Sequence, residues 1–288
     1  MIAILSWWPW LEKEIAKKSA NFFKKYINKD FDYYELPEQM EDFLVNKNKY
    51  NLVIPVFHWE YWEDGKVFAF LDSLNLKHSF SNYDTHSICL DKYKSNILVS
   101  SLWIKIPKQE LYSEKTSINN FPIIVKPNRW GSSFHTYKAS NKEELYDCLK
   151  VMLKEVNDDI LIQDFIVWDE YSVPVVAWEV LPIMKLEKQS NEELFDYNSK
   201  YEDDSKIKEV FSEISEPLKS KLEDVSIKIY NFFNCKWFSR IDFLVRWDDL
   251  YFLEINTIPG MTEASILPKA RKLTWRDFEK LVKIIINN

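Results

Sequence analysis

Glycine is almost absent from this chain. Only Gly65, Gly131 and Gly260 occur among 288 residues, where an average usage near 7% would give roughly 20. Tryptophan occurs twelve times. Because glycine is the residue that most readily takes a positive φ, a chain this poor in glycine has few residues suited to tight turns. The opening "SWWPWLEKE" shows the conflict, since three tryptophans stand where we expect a turn between a strand and a helix.

The remaining composition is that of an ordinary folded protein. The net charge of −7 gives no support for nucleic-acid binding. No apolar run approaches the ~20 residues of a membrane span, and no signal peptide begins the chain, so we expect a cytoplasmic protein. Cys89, Cys148 and Cys235 are scattered without metal-ligand spacing, and we expect them to be reduced thiols.

Short apolar runs alternate with amphipathic runs, which predicts an α/β fold with mixed sheets. The strand-like runs are "AIL", "YNLVIPVFH", "FPIIVKP", "DDILIQDFI", "YSVPVVA", "FSRIDFLV" and "LYFLEIN". The helix-like runs are "LEKEIAKKSANFFKKYI", "NKEELYDCLKVMLKEV", "EPLKSKLEDVSIKIYNFF" and "RDFEKLVKIII". The polar segments "KQELYSEKTSINN" and "KYEDDSKIKE" are predicted to form a linker and a mobile loop.

The segment "RIDFLVRWDDLYFLEIN" predicts a β-hairpin. Two apolar runs flank residues 247–249, which we interpret as a three-residue loop. With that loop, Asp242 faces Glu254 and Arg240 faces Asn256 across the two strands.

This pairing predicts a metal site. Residues two apart on a strand share a face, so Asp242, Glu254 and Asn256 converge on one patch beside Arg240. Two carboxylates and an amide oxygen form an oxygen-only ligand set suited to Mg²⁺. The alternative is a pair of solvated surface carboxylates, and a one-residue shift of the pairing would separate the ligands.

Two further clusters are weaker signals. Lys126 ends a strand-like run and is followed by a loop with Gly131, Ser132 and Ser133, which offers backbone N–H groups and hydroxyls to a phosphate. His58 lies near Glu63 and Asp64 in "FHWEYWEDG", although a single histidine there is more often structural than a ligand.

These pieces occur together and in order, in a pattern that resembles the D-alanine–D-alanine ligases of the ATP-grasp superfamily. "FLEINTIPGMTEASILPKA" resembles the family's E-x-N-T-x-P-G-M-T motif, and "IVKPNRWGSS" resembles its V-K-P-x-x-x-G-S-S loop. "LDKYKSN" resembles its D-K segment, and "DYNSKY" its D-Y-x-x-K-Y segment. "FHWEYWEDG" and "SWWPWLEKEIAKKSA" resemble its H-G-x-x-G-E-D-G and G-G-x-S-x-E motifs, with tryptophan in place of glycine. The resemblance covers essentially the whole chain.

The same resemblance accounts for the tryptophans. Those that fall where relatives have glycine are Trp7, Trp8, Trp59, Trp62, Trp103, Trp168, Trp178, Trp237 and Trp275. Trp247 lies in the predicted hairpin turn, whereas Trp10 and Trp130 are less diagnostic. Some bacteria read the UGA codon as glycine and others as tryptophan, so we hypothesise that this chain is written under the wrong code. The alternative is an aromatic-rich protein with tryptophans at an interface or sugar site.

A physical consequence follows from the hypothesis. An indole would replace a hydrogen where the backbone takes positive φ or approaches substrate, at several sites at once. We therefore predict that a chain carrying all twelve tryptophans folds poorly or is inactive.

The resemblance implies an ATP-grasp fold of three α/β subdomains: an N-terminal substrate domain (1–82), a central subdomain (83–163) and a C-terminal subdomain with the metal site (164–288). It implies ATP-dependent joining of two D-alanines to D-alanyl-D-alanine through an acylphosphate, for peptidoglycan precursors. It also implies ATP as co-substrate, two Mg²⁺ ions with Mn²⁺ as a substitute, and a cytoplasmic homodimer.

The resemblance also assigns roles to residues that match family motifs. The implied metal ligands are Asp242, Glu254 and Asn256. The implied ATP-binding residues are Lys92, Lys126, Ser133, Gln163, Asp164, Phe165, Ile166, Glu170 and Lys200. The implied substrate-binding residues are Glu12, His58, Ser265 and Ile266. The implied catalytic residues are Glu12, Ser132, Tyr201, Arg240 and Gly260.

Some residues refine or depart from the family pattern. Tyr201 favours D-alanine over D-lactate as the second substrate, but the Pro-Ala pair that usually follows is missing. Asn96 stands where a lysine is common, His135 where a glycine is common, and Gln163 where glutamate is more usual. The alternative functions are a ligase for another D-amino acid or D-hydroxy acid, an inactive ATP-binding homologue, and a tryptophan-rich carbohydrate-binding module.

Overall fold

The fold is α/β with parallel and antiparallel strands, as the alternation of runs predicts. The computed structural model describes residues 1–7, 20–21, 24–25, 27, 30–56, 63–131, 134–167, 169–188, 207–211, 214–247, 249–258, 265–266 and 269–270. Most of the predicted helix "LEKEIAKKSANFFKKYI" and all of "RDFEKLVKIII" lie outside these residues.

The first sheet is parallel and lies in the N-terminal part of the chain. Its strands are β1 (Ile2–Trp7), β2 (Phe31–Leu36) and β3 (Leu52–Pro55), in the order β2-β1-β3. The first strand is therefore where the apolar run predicts it, and residues 2–6 are buried. Helices α1 (Met40–Asn46) and α2 (Lys66–Ser73) and a 3₁₀ turn (Lys47–Lys49) accompany this sheet, and none of these three was predicted.

The second sheet has the order β4-β7-β5-β6. Its strands are β4 (Gln109–Leu111), β5 (Ile123–Pro127), β6 (Tyr137–Ala139) and β7 (Ile160–Asp164). Helix α5 (Lys142–Glu155) packs on this sheet, whereas α3 (Tyr83–Leu90) and α4 (Lys92–Ser100) contribute the buried Cys89 and Val99 to the core of the third sheet. Asn141 caps α5 by accepting hydrogen bonds from the backbone of Glu143 and Glu144, both at 3.0 Å. The predicted linker is wrong at residues 109–111, because they pair with β7 as an edge strand.

The third sheet has the order β11-β10-β8-β12-β13, with β9 paired to β8. Its strands are β8 (Asp169–Val176), β9 (Glu179–Val180), β10 (Met184–Lys188), β11 (Ile207–Val210), β12 (Phe238–Arg246) and β13 (Asp249–Asn256). Helix α6 (Glu216–Phe232) packs on it through the buried Leu222, Ile229 and Tyr230. Residues 207–209 of the predicted mobile loop lie in β11, and residues 200–206 lie outside the described residues.

The predicted hairpin is present, but its loop differs. Arg246 pairs with Asp249, so the loop has two residues, and the predicted three-residue loop is wrong. A β-bulge between Asp242 and Phe243 compensates, because Leu253 is left without a partner in the ladder. Beyond the bulge Asp242 pairs with Glu254, as predicted.

No helix of the described part of the chain is long and apolar enough to cross a membrane. The three subdomain ranges stay a prediction.

Candidate active site

The central strands of the third sheet bring the predicted metal ligands together. Asp242 pairs with Glu254, and Arg240 pairs with Asn256, across β12 and β13. Asp242 is only 3% exposed, whereas Glu254 and Asn256 are partly exposed. The site is therefore open on the side of β13 and closed around Asp242.

Two neighbours hold the Asp242 carboxylate. The Ser172 hydroxyl on β8 donates a hydrogen bond of 2.6 Å to its Oδ1. Arg240 donates through Nε at 3.0 Å to both oxygens and through Nη2 at 2.8 Å to Oδ2. Because these are charge-assisted bonds in a buried place, they fix the orientation of the carboxylate.

Arg240 lies among three carboxylates. Its Nη2 is 2.8 Å from Asp242 Oδ2 and 3.7 Å from Glu254 Oε1. Burial by itself would lower the pKa of Arg240, but the charges of Asp242, Glu254 and Glu170 raise it. Arg240 is thus a permanent positive charge beside the predicted metal ligands.

Lys92 brings a second positive charge to the same patch. It begins α4, and its Nζ donates a hydrogen bond of 2.7 Å to the carbonyl of Trp130. The same atom lies 3.5 Å from Oε2 of Glu254. Lys92 therefore links the predicted phosphate-binding loop to the hairpin that carries the predicted metal ligands.

Asn128 ties the start of α4 to the end of β5, which carries Lys126. Its side chain donates to Asp91 Oδ1 and accepts from the Tyr93 N–H, both at 2.8 Å. Its carbonyl accepts from the Lys92 N–H at 3.2 Å. Burial would raise the pKa of Asp91, but the bonds from Asn128 and Lys94 lower it. The segments with the two predicted phosphate-binding lysines are thus fixed to each other.

The predicted adenine-binding segment consists of the last two residues of β7 and the two residues that follow it. Gln163 is buried, and its Nε2 donates to Gln109 Oε1 at 2.8 Å. The backbone N–H of Asp164 donates to the Lys108 carbonyl at 2.9 Å, and that of Phe165 donates to the Pro122 carbonyl at 3.1 Å. These bonds fix the backbone that leads to Ile166.

The end of β13 is anchored from α3. His86 is fully buried, and its Nδ1 lies 2.7 Å from Thr257 Oγ1. Burial, followed by the charge of His78, lowers the pKa of His86 to about 3, so its imidazole is neutral. The side-chain oxygen of Asn256 accepts a bond of 2.9 Å from the Ile258 N–H.

Comparisons with known proteins agree with this geometry. A family model described as the D-Ala–D-Ala ligase C-terminus matches residues 88–287. D-alanine–D-alanine ligase A of Bacillus cereus is 32% identical over 96% of this chain and 93% of its own length. The D-alanine–D-alanine ligase of Fusobacterium nucleatum is 33% identical over 96% of this chain and 94% of its own length.

A solved structure extends the match to three dimensions. The Bacillus anthracis D-alanine–D-alanine ligase in complex with ATP has a TM-score of 0.85 and 25% identity, over 99% of this chain and 96% of its own. The chain belongs to the D-alanine–D-alanine ligase family. Its fold is accordingly the ATP-grasp fold that the motifs imply.

For a D-alanine–D-alanine ligase, the structure places part of the expected site. Described site residues are Lys92, Lys126, Gln163, Asp164, Phe165, Ile166, Glu170, Arg240, Asp242, Glu254, Asn256, Ser265 and Ile266. Of these, Lys92, Arg240, Asp242 and Glu254 are joined by direct contacts. Ser265 accepts a backbone bond of 3.1 Å from Lys269. Expected residues outside the described part are Glu12, His58, Ser132, Ser133, Lys200, Tyr201 and Gly260.

The motifs of the ligase family do not reveal the residues that support this site. Ser172, Asn128 and His86 were not predicted, although each makes a buried bond to a site residue or to its neighbour. The segment "YSVPVVA" predicts only an apolar strand. Its one signal of a supporting role is Ser172, a polar residue within an otherwise apolar run.

The ligand set fits Mg²⁺ in its chemistry. Asp242, Glu254 and Asn256 offer only oxygen atoms, which Mg²⁺ prefers. No group of three or more His, Cys, Asp or Glu side chains suited to a metal occurs within the described ranges, so a site here depends on the amide of Asn256. Because Arg240 and Lys92 already balance the two carboxylates, bound Mg²⁺ would need the negative charge of phosphates beside it.

Proposed function

We propose that this chain joins two D-alanines into D-alanyl-D-alanine at the expense of ATP. The observation that carries the proposal is the contact network of Lys92, Glu254, Arg240 and Asp242, in a chain of the D-alanine–D-alanine ligase family. It combines cations for phosphate with carboxylates for a metal, as phosphoryl transfer requires.

The reaction has two steps. A carboxylate oxygen of the first D-alanine attacks the γ-phosphorus of ATP, and the bond to the β–γ bridging oxygen breaks to give an acylphosphate and ADP. The amine of the second D-alanine then attacks the acyl carbon and loses a proton. The tetrahedral intermediate collapses with release of phosphate, and an amide bond is formed.

In this proposal the residues of the chain position charge and do not form covalent intermediates. Lys92 and Lys126 hold phosphate oxygens, and Arg240 stabilises the oxyanion of the tetrahedral intermediate together with the Gly260 N–H. Gln163, Asp164, Phe165 and Ile166 bind adenine, and Glu170 binds the ribose hydroxyls. Support comes from Lys92, which reaches both Trp130 and Glu254.

The remaining assignments belong to the same proposal. Asp242, Glu254 and Asn256 would hold two Mg²⁺ ions, which when bound neutralise the charge that develops on the transferred phosphoryl group. Glu12, His58, Ser265 and Ile266 would bind the amino-acid substrates, and Ser132, Ser133, Lys200 and Tyr201 would close the site. We also propose a cytoplasmic homodimer that supplies peptidoglycan precursors.

The test is formation of ADP and dipeptide from ATP, Mg²⁺ and D-alanine by the version of the chain that carries glycine in place of the twelve tryptophans. We expect product only when D-alanine is present, with D-alanine preferred over D-lactate and D-serine as acceptor. Glu254→Gln should abolish turnover, and Asp224→Asn on the exposed face of α6 should not. ATP binding without turnover would indicate an inactive homologue, and turnover only with another acceptor would indicate a different ligase.

A further inference from the structure

Four of the tryptophans have a left-handed backbone. Their φ angles are 64° at Trp103, 66° at Trp178, 65° at Trp237 and 55° at Trp247. In this region Cβ crowds the neighbouring carbonyl oxygen, so a bulky residue there is a conformational outlier. Trp103, Trp178 and Trp237 fall where the resemblance to the family places glycine, and Trp247 lies in the predicted hairpin turn.

The local geometry explains why glycine suits these positions. Trp103 closes the turn after α4, where its N–H donates to the Ser100 carbonyl at 3.0 Å, and the left-handed residue after a helix is usually glycine. Ala177 and Trp178 form the two-residue loop between β8 and β9, and both have positive φ. Such a loop favours glycine at its second position.

Three of the four indoles gain little packing in return, whereas Trp237 is partly buried against the hydrophobic core of the first sheet. The exposed fraction is 95% for Trp103, 84% for Trp247 and 57% for Trp178. Among the other left-handed residues, Asn75, Asn234 and His135 are types that tolerate this backbone. Phe80 is also left-handed, but its ring is buried in the core and so gains the packing that the exposed indoles lack. A tryptophan interface would account for exposure but not for the left-handed φ.

We infer that Trp103, Trp178, Trp237 and Trp247 stand at positions built for glycine, and that the working protein carries glycine there. A UGA codon that the source organism reads as glycine would produce this pattern. The inference is independent of the reaction that the protein catalyses.

Variant pairs test the inference on the full chain. At each of the four positions, Trp→Gly should give a higher melting temperature than Trp→Ala, because both remove the indole but only glycine removes Cβ. Trp130 is the matched control, since its φ is not positive, and there alanine should equal or exceed glycine. Equal or lower melting temperatures for glycine at the four positions would overturn the inference.

Mass spectrometry of the protein purified from its source cells gives a second readout that does not depend on folding. We expect peptides spanning residues 103, 178, 237 and 247 to carry glycine. Tryptophan in those peptides would overturn the inference.

A separate observation concerns Asn96 on α4. Its side chain is fully buried, and Nδ2 donates to the carbonyls of Lys92 at 2.8 Å and of Leu253 at 3.0 Å. Leu253 is the bulged residue of β13, and Glu254 follows it. The amide of Asn96 therefore satisfies a carbonyl that the bulge removes from the strand ladder.

The bulge decides where Glu254 points. With a two-residue loop and no bulge, Asp242 would pair with Leu253, and Glu254 would turn to the opposite face of the sheet. The bulge therefore brings Asp242 and Glu254 together, and Asn96 holds it from α4.

We propose that Asn96 is a positioning residue that holds the Leu253 bulge, and so the pairing of the two predicted metal ligands. Its effect on catalysis rests on the proposed function, whereas its effect on the strand does not. Ser95→Ala is the matched control, because the buried Ser95 hydroxyl also donates to the Lys92 carbonyl, at 3.2 Å, but has no bond to Leu253 among the described contacts.

The test compares Asn96→Leu with Ser95→Ala in one full-length background. Asn96→Leu should speed amide hydrogen exchange in β13 but not in β2. It should also raise the Mg²⁺ concentration for half-maximal turnover about 10- to 100-fold, with a smaller change in kcat at saturation. Unchanged exchange in β13, or an equal effect of Ser95→Ala, would overturn the proposal. If no variant shows turnover, the rate of amide hydrogen exchange in β13 still tests whether Asn96 holds the bulge.

Discussion

Nζ of Lys92 lies 3.5 Å from Oε2 of Glu254, and this contact joins the first turn of α4 to strand β13. On the other side, Arg240 lies 3.7 Å from Oε1 of the same carboxylate. Glu254 is thus shared by two cations, and Asp242 is held by one of them. Each of the two predicted metal-binding carboxylates is therefore in contact with a cation before any ligand binds.

This pairing predicts that Mg²⁺ binds together with ATP. Mg²⁺ alone should leave the melting temperature nearly unchanged, because Asp242 and Glu254 are already paired with cations. Mg²⁺ with a non-hydrolysable ATP analogue should raise it, as expected for ligands that bind only the folded state. We would measure the melting temperature with Mg²⁺ alone, with the ATP analogue alone and with both together. A large shift from Mg²⁺ alone would contradict it.

The bond between Ser172 and Asp242 predicts a role for a residue that no motif marks. Ser172→Ala should raise the Mg²⁺ requirement about 10- to 100-fold, the usual cost of losing an outer-shell partner of a metal ligand. Ser239→Ala is the control, because Ser239 is equally buried on β12 and its hydroxyl has no hydrogen-bond partner in the described structure. Similar effects of the two variants on Mg²⁺-dependent turnover would count against this role.

Arg240 should matter for its fork geometry as well as its charge. Arg240→Lys keeps the charge but loses the paired bonds to Asp242. We expect kcat to fall about 10²- to 10³-fold, as for the loss of an oxyanion donor, while binding of ATP persists. Steady-state kinetics and ATP titration measure the two effects. A variant with normal kcat would refute the assignment.

His86 should make the protein sensitive to mild acid. Its pKa is about 3 in the folded chain and 6.5 for an ordinary histidine, so the unfolded state binds the proton first as pH falls. His86 therefore does not lower the free energy of unfolding above about pH 6.5. Below that pH the free energy of unfolding declines, by about 2 kcal/mol between pH 7 and pH 5. Urea denaturation of the chain and of His86→Gln at both pH values checks this. The variant should lose less stability, and an equal loss would contradict the prediction.

The sequence alone predicts the pairing of Asp242 with Glu254, because alternation along a hairpin fixes which residues share a face. The predicted loop is one residue too long, but the bulge adds one unpaired residue, Leu253, to β13. The two differences cancel, so the predicted pairing is still correct. A bulge depends on contacts from outside the hairpin, here Asn96, and such contacts leave no periodic signal in the strand itself.

Other features lie beyond local pattern for a similar reason. Helices α3 and α4 have weak amphipathic patterns because they pack against other elements on several faces, with His86, Asn96 and Ser95 buried. Edge strand β4 is short and polar, so it resembles a linker until its partner β7 is known. The glycine positions were found by motif, and the left-handed φ values at four of the tryptophans give them a physical basis.

The most direct test measures D-alanine-dependent release of phosphate from ATP and Mg²⁺ by two versions of the full chain. One carries the twelve tryptophans, and the other carries glycine at all twelve positions. We predict phosphate release and dipeptide formation by the glycine version, with little or none by the tryptophan version. A folded glycine version that binds ATP but forms no dipeptide would contradict the ligase function. Full activity of the tryptophan version would contradict the glycine inference.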